Sequence, residues 1–216
     1  MDRLEDIAAE IEEELDEKDT LREIALKSCR AIIRLSGASI RSMHKGGDSS
    51  SLLSEARDEA SKLRGLVMDH PDIGSAGFIE DAYQELGEAC IFYAILNDMD
   101  IPSPQDIEIT STSYLLAMGD VVGELRRSAL GALRKGDLDT ASTRLEQMEF
   151  FYDIIMRFDY PSALVSIRRK QDIARTLIEK TRAEVTMSIR SQKLEDRIGK
   201  FEKTLKKAQS KTKNGG

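Results

Sequence analysis

The stretch Tyr114-Leu-Leu-Ala-Met-Gly119-Asp120-Val-Val-Gly123-Glu124-Leu-Arg126-Arg127 sets two acids four residues apart among small residues, and two arginines follow at once. Apolar positions recur in it at helical intervals and no proline interrupts it, so it reads as helix. On such a helix Asp120 and Glu124 lie about 40° apart, with Ala117, Gly123 and Gly131 close to them. Small residues there leave room for another chain segment or a substrate backbone to approach. Arg127 projects from the same face further along. An acid pair beside a basic pair is a combination that metal-dependent phosphate chemistry uses.

The acids have a partner upstream. A helix predicted from about Gly77 to Asn97 carries Glu85 and Glu88. At about 100° per residue, Phe78, Ala82, Ala89, Phe92 and Leu96 fall within roughly 60° of Glu85, as does Glu88. A carboxylate in an apolar stripe is unfavourable unless it is paired, protonated or bound to metal, and a second acid at i+3 sharpens the need for a cation. Two helices that each present an acid pair can gather four carboxylates, whose hard oxygens suit Mg²⁺ or Mn²⁺. The plain alternatives are ion pairs between these glutamates and arginines of the first helix, or a wet subunit interface. No histidine lies near either pair, which argues against a di-iron site with Glu-x-x-His motifs. The sequence has no glycine-rich phosphate loop, CxxC pair or serine triad.

The remaining chain predicts an all-α fold, an elongated antiparallel bundle of about six to seven helices. Of 216 residues 33% are charged, and Gly and Pro together number 18, which favours long helices in one domain. A first helix runs from about Ile7 to His44, and its Lys27, Arg30, Arg34, Arg41 and Lys45 recur at spacings that keep them on one stripe. A solvated face is the bland reading of that ridge. His44 reads as a helix-end histidine rather than a general base. Gly46-Gly47-Asp48-Ser49-Ser50 breaks the helix and supplies caps for a second, about Ser51 to Met68, with Leu52, Ala56, Ala60, Leu63 and Val67 inward. A loop follows the Gly77–Asn97 helix, from Asn97 to Ile109. The opening stretch then belongs to a helix from Thr110 or Ser111 to about Lys135, with Tyr114, Met118, Val121, Val122, Leu125, Ala129 and Ala132 on its apolar side. Gly136-Asp137 begins a fifth long helix, reaching about Arg157. A last helix from about Ala163 to Lys206, capped by Ser162, is longer than a small domain needs, so part of it must project, bend or meet another subunit. We expect one domain over 1–205 and a basic, disordered tail over 206–216.

Charge is segregated along the chain. Residues 1–20 hold ten acids and two bases, 21–45 six bases and one acid, and 189–216 nine bases and three acids, within a net charge of −7. A linear basic stripe favours an extended polyanion over a single nucleotide. Cys29 and Cys90 stand apart within helical patterns and read as core thiols of a reducing compartment. The acidic amino terminus carries no hydrophobic run, which points to a soluble cytoplasmic protein with no membrane partner.

Three functions compete on these residues: a metal-dependent nuclease, an all-α nucleoside triphosphate pyrophosphatase, and a non-catalytic nucleic-acid binder. Four ordered segments bear on the choice: Lys27-Ser-Cys-Arg30 through Ile40-Arg-Ser-Met-His44-Lys45, Tyr83-Gln84-Glu85-Leu-Gly-Glu88-Ala89, the opening stretch, and Gly136-Asp137. Together they resemble the translin and translin-associated factor X (Trax) family over nearly the whole chain. The resemblance implies an all-α subunit of a closed, hollow oligomer with basic residues facing its cavity. In the Trax branch it implies a metal-dependent endoribonuclease site for single-stranded RNA, made here by Glu85, Glu88, Asp120 and Glu124. Translin itself binds RNA and single-stranded DNA and departs from that acidic set, so this chain looks closer to Trax. The resulting expectation is an endoribonuclease using Mg²⁺ or Mn²⁺, with Arg30, Arg34, Arg41, Arg126 and Arg127 on the nucleic-acid backbone, in a homo-oligomer of hexamer to octamer size.

Overall fold

The computed structural model describes residues 2–213, with side chains from 3 to 206. Seven helices follow in order: α1 Asp2–His44, α2 Ser50–Val67, α3 Pro71–Gly74, α4 Gly77–Leu96, α5 Ser111–Leu133, α6 Leu138–Ile155 and α7 Ile167–Lys213. The described residues contain no strand. They form two compact units, Met1–Val121 with Asp153–Gln171 and Val122–Tyr152 with Asp172–Gly216. No described helix is long and apolar enough to cross a membrane. The backbone stays helical through Lys213; the end of the expected tail, 214–216, lies outside the described residues.

In the first unit, α1 packs on α2 and α4 through Ala25, Cys29, Ile32, Ser36, Ser39 and Met43, buried at intervals of three or four. From α2 the buried residues are Leu53, Ala56, Ala60, Leu63 and Val67. The expected Leu52 is only half-buried, because Leu53 is the leucine that completes the 3-4-3-4 spacing of that seam. Gly46, at φ +73°, closes α1. Asp48 then accepts the Ser50 amide at 2.9 Å, a bond that holds its carboxyl below the usual range. The short α3 was not expected; Pro71 opens it at a position where a missing amide costs nothing.

Helix α4 is buried on nearly every side, through Ile79, Ala82, Tyr83, Leu86, Ala89, Cys90, Ile91, Phe92, Ala94 and Ile95. That corrects the expected single stripe centred on Glu85. Phe78 and Leu96 are half-buried, and a helix that is apolar all round is a central one. The start of α5 is stitched to it. Thr110 Oγ1 accepts the Ser113 amide at 3.0 Å and donates to the Glu80 carboxylate at 2.7 Å, while Ser113 Oγ donates to the Glu80 carbonyl at 3.0 Å.

Helix α7 begins at Ile167, four residues later than expected, so Ser162 is not its cap. Pro161 closes a turn instead, its carbonyl accepting the amides of Leu164 at 2.9 Å and Val165 at 3.2 Å. Buried Gln171 then donates to the carbonyls of Ile155 and Phe158 at 2.8 and 2.9 Å, which ties the first turn of α7 to the chain leaving α6.

In the second unit, Asp137 caps α6 by accepting the Thr140 amide at 2.9 Å. A small core of Ala132, Ala141 and Val185 is flanked by Leu133, Leu145 and Ile189. Arg182 bonds Glu149 at 2.7 and 3.0 Å.

Candidate functional site

Gly87 lies between the two glutamates of α4, and its missing side chain sets the distance to α5. A Cβ there would stand 2.9 Å from Ile109 Cδ1 and 3.0 Å from Ala117 Cβ. Both are closer than ordinary van der Waals contact: the end of the Ile109 side chain can swing aside, but Ala117 of α5 must give by a few tenths of an ångström before a side chain fits. Gly119 does the same toward α7, where a Cβ would stand 2.7 Å from Lys170 Cβ and 3.2 Å from Lys170 Cγ. Of the small residues expected to give clearance, Ala117 is buried at this contact, whereas a Cβ on Gly123 or Gly131 would meet nothing within 4 Å.

The close approach brings acids of the first unit into the packed region. Glu88 is only 8% exposed; Glu85 and Asp120 are half-buried. Glu124, in the second unit, is also half-buried. Asp120 Oδ2 accepts the Gln84 side-chain amide at 2.5 Å. Its Oδ1 carries the ammonium of Lys170, whose stem lies across Gly119. Asp120 thus ties α4, α5 and α7 of the first unit together. Gln84 and Lys170 were not identified from sequence. Gln84 adjoins Glu85 and could have been found as the polar residue one turn before Glu88. Lys170 lies in a basic run, Arg168-Arg169-Lys170, and carries no signal in the sequence that distinguishes it from its neighbours.

Further along α5, Glu124 pairs with Arg127 Nη1 at 3.6 Å. The cation on Asp120 is Lys170 rather than Arg127. Arg126 faces elsewhere: its two terminal nitrogens bond Glu184 at 2.9 and 3.1 Å and Thr181 Oγ1 at 2.6 Å within the second unit. The basic ridge of α1 stands as expected, with Lys27, Arg30, Arg34, Arg41 and Lys45 all exposed. The His44 ring lies 5.0 Å from that of Phe92 between centroids, an anchoring contact at the helix end.

The carboxylate oxygens suit a hard divalent cation in chemistry. In arrangement, the ammonium of Lys170 takes the place on Asp120 that a cation needs, and among the described residues no three His, Cys, Asp or Glu side chains are grouped as metal ligands.

Comparison with known proteins places this architecture. The model of the translin family matches residues 11–205. An uncharacterised protein of Methanocaldococcus jannaschii is 35% identical over 188 residues, which are 85% of this chain and 83% of that one. The crystal structure of AfC3PO matches with a TM-score of 0.77 at 34% identity, covering 85% of this chain and 97% of that chain. AfC3PO in complex with duplex RNA matches at 0.69 and 34% identity, over 85% and 96% of the two chains. Apo-NeC3PO, at 21% identity and a TM-score of 0.75 over 83% and 96%, shares the fold. This all-α chain belongs to the translin family.

Proposed function

We propose that the chain is an RNA-binding subunit of a metal-dependent endoribonuclease, assembled as a closed, hollow homo-oligomer. The observation that carries this reading is Glu88, a carboxylate 8% exposed on the helix whose Gln84 grips Asp120 of α5. Folding keeps a charge so deep only where a cation, a proton or hydrogen bonds stabilise it. Glu85, Glu88, Asp120 and Glu124 would hold Mg²⁺ or Mn²⁺, and the ion would supply a Lewis acid and an activated water. Gln84 fixes the orientation of Asp120. Lys170 is a resident counter-charge on Oδ1 of Asp120. Exposed Arg30, Arg34, Arg41 and Arg127 supply point charges for backbone phosphates. Arg126, held by Glu184 and Thr181, is a strut of the second unit rather than an RNA contact. The complex of AfC3PO with duplex RNA supports RNA as the polyanion. Single-stranded RNA is the form we assign to cleavage.

A second reading, a non-catalytic RNA or single-stranded DNA binder, is favoured by the Lys170 contact on Asp120. The test is incubation with labelled single-stranded and duplex RNA, in Mg²⁺, Mn²⁺ or EDTA, beside Glu88→Gln and Asp120→Asn. Cleavage that needs the metal and falls at least about 100-fold in both variants supports the nuclease. Metal-independent cleavage, or cleavage untouched by either substitution, sinks the site. Binding without cleavage selects the binder, and turnover of nucleoside triphosphates in place of RNA selects a pyrophosphatase.

A further inference from the structure

Both long helices carry an apolar stripe that their own chain leaves bare. At the start of α1 it is Leu4, Ile7, Ile11 and Leu15, exposed by 68, 41, 51 and 58%. Toward the end of α7 it is Leu194, Ile198, Phe201 and Leu205, exposed by 59, 50, 65 and 45%. Each stripe spans twelve residues at intervals of three or four, so the two have equal length and equal numbers of large side chains. Contiguous apolar surface of this kind marks a contact with another molecule.

The α7 stripe faces away from its own core. Ala174, Ile178, Thr181 and Val185 are buried and share one face. At about 100° per residue, Leu194, Ile198, Phe201 and Leu205 fall roughly on the opposite face. The reversal means that this end of the helix is not an unfinished extension of the chain's own packing.

Charge selects the partner. The α1 segment from residue 1 to 20 carries ten acids and two bases, so two copies of it repel. A pairing of α7 with α7 brings Arg190 and Arg197 to Glu195 and Glu202 but leaves the α1 stripe in water. Only α1 with α7 covers both. In antiparallel register Leu4, Ile7, Ile11 and Leu15 meet the four apolar residues of α7, while Glu10 and Glu17 flank the seam opposite Arg197 and Arg190. We infer that the first four turns of α1 in one subunit pack antiparallel on residues 190–206 of α7 in a second copy of the chain. Such a contact is head-to-tail, and it builds a ring where the rotation between subunits closes. The inference gives the oligomer proposed above its contact surface and rests on that assembly, not on the nuclease site.

The test uses the full chain in sedimentation velocity, with one variant on each stripe, Ile11→Lys with Leu15→Lys, and Ile198→Asp with Phe201→Asp. All four positions are exposed, so circular dichroism should report unchanged helix content. Wild type should sediment as a multimer and each variant as a monomer. Mixing the variants should give a one-to-one dimer, because each retains the stripe the other has lost. An α1 variant that assembles like wild type overturns the pairing and points to α7 with α7. An α7 variant that assembles like wild type also overturns it. A monomeric wild type overturns the assembly itself, whatever RNA cleavage shows.

Discussion

Replacing Lys170 with methionine isolates the contact on which the two functional readings divide. Methionine keeps an unbranched stem against Gly119, so the substitution removes charge more than packing. The Lys170 and Asp120 side chains are 24% and 25% exposed. Exposed ion pairs contribute about 0–1 kcal/mol, and removing one partner of a fully buried pair costs about 3–5 kcal/mol. At a quarter exposure, with the Gln84 amide still on Oδ2, the loss should be about 1.5–2.5 kcal/mol. In a chain of this length each kcal/mol moves Tm by about 2–4 °C, so Lys170→Met should melt roughly 3–10 °C lower in EDTA, measured at fixed subunit concentration. Paired with Asp120→Asn, the double variant should lose less than the sum of the singles. Added Mn²⁺ should raise the Tm of Lys170→Met more than that of wild type, because the ion no longer competes with an ammonium. A loss under about 0.5 kcal/mol, additive with Asp120→Asn, would refute the ion pair as a structural hub. A pair that proves coupled but shows no greater Mn²⁺ response refutes Lys170 as the competitor of the metal.

Other substitutions and conditions probe the same packing. Gly87→Ala should cost about 1–3 kcal/mol in thermal or urea unfolding, since its Cβ must displace Ile109 or Ala117. Gly123→Ala should instead gain about 0.5–1 kcal/mol, since its Cβ meets nothing within 4 Å and alanine favours the helix; a loss there would mean that the space is filled in solution. Burial pushes the Cys29 and Cys90 thiols up from 9.0 to about 11. Both should resist iodoacetamide at pH 8 until the chain is unfolded. An unfolded thiol ionises near pH 9 while the folded one stays protonated, so this contribution to stability is intact below pH 9 and lost as pH rises to 11. At pH 10 the loss is about 1.4 kcal/mol per thiol, which urea unfolding at pH 8 and 10 measures; equal stability at the two pH values refutes it.

Much of the helical order was legible because each boundary has local chemistry. Gly46, His70-Pro71, Pro102 with Pro104, and Gly136-Asp137 all fall where helices give way. The late start of α7 was missed because Ser162 has the right type for a cap, whereas the turn that displaces it depends on the Pro161 carbonyl. The inward side of α4 was misjudged for a different reason. Periodicity assumes one wet face, and a helix surrounded by neighbours has none, so its apolar angle around Glu85 described only part of what is buried.

The site itself shows what spacing can and cannot carry. Acids at i+3 and i+4 declare a shared face within one helix, and that much was readable for Glu85 with Glu88 and Asp120 with Glu124. Which residues approach from other helices is decided by where backbones come close, and that is set by Gly87 and Gly119. These glycines sit inside the acidic motifs, so the packing that brings α4 to α5 and Lys170 to α5 takes the acids out of water. A larger residue at Gly119 would push Lys170 aside and uncover Asp120 together. The fold and the charged cluster therefore have one cause: the glycine that admits Lys170 adjoins the aspartate that requires its charge.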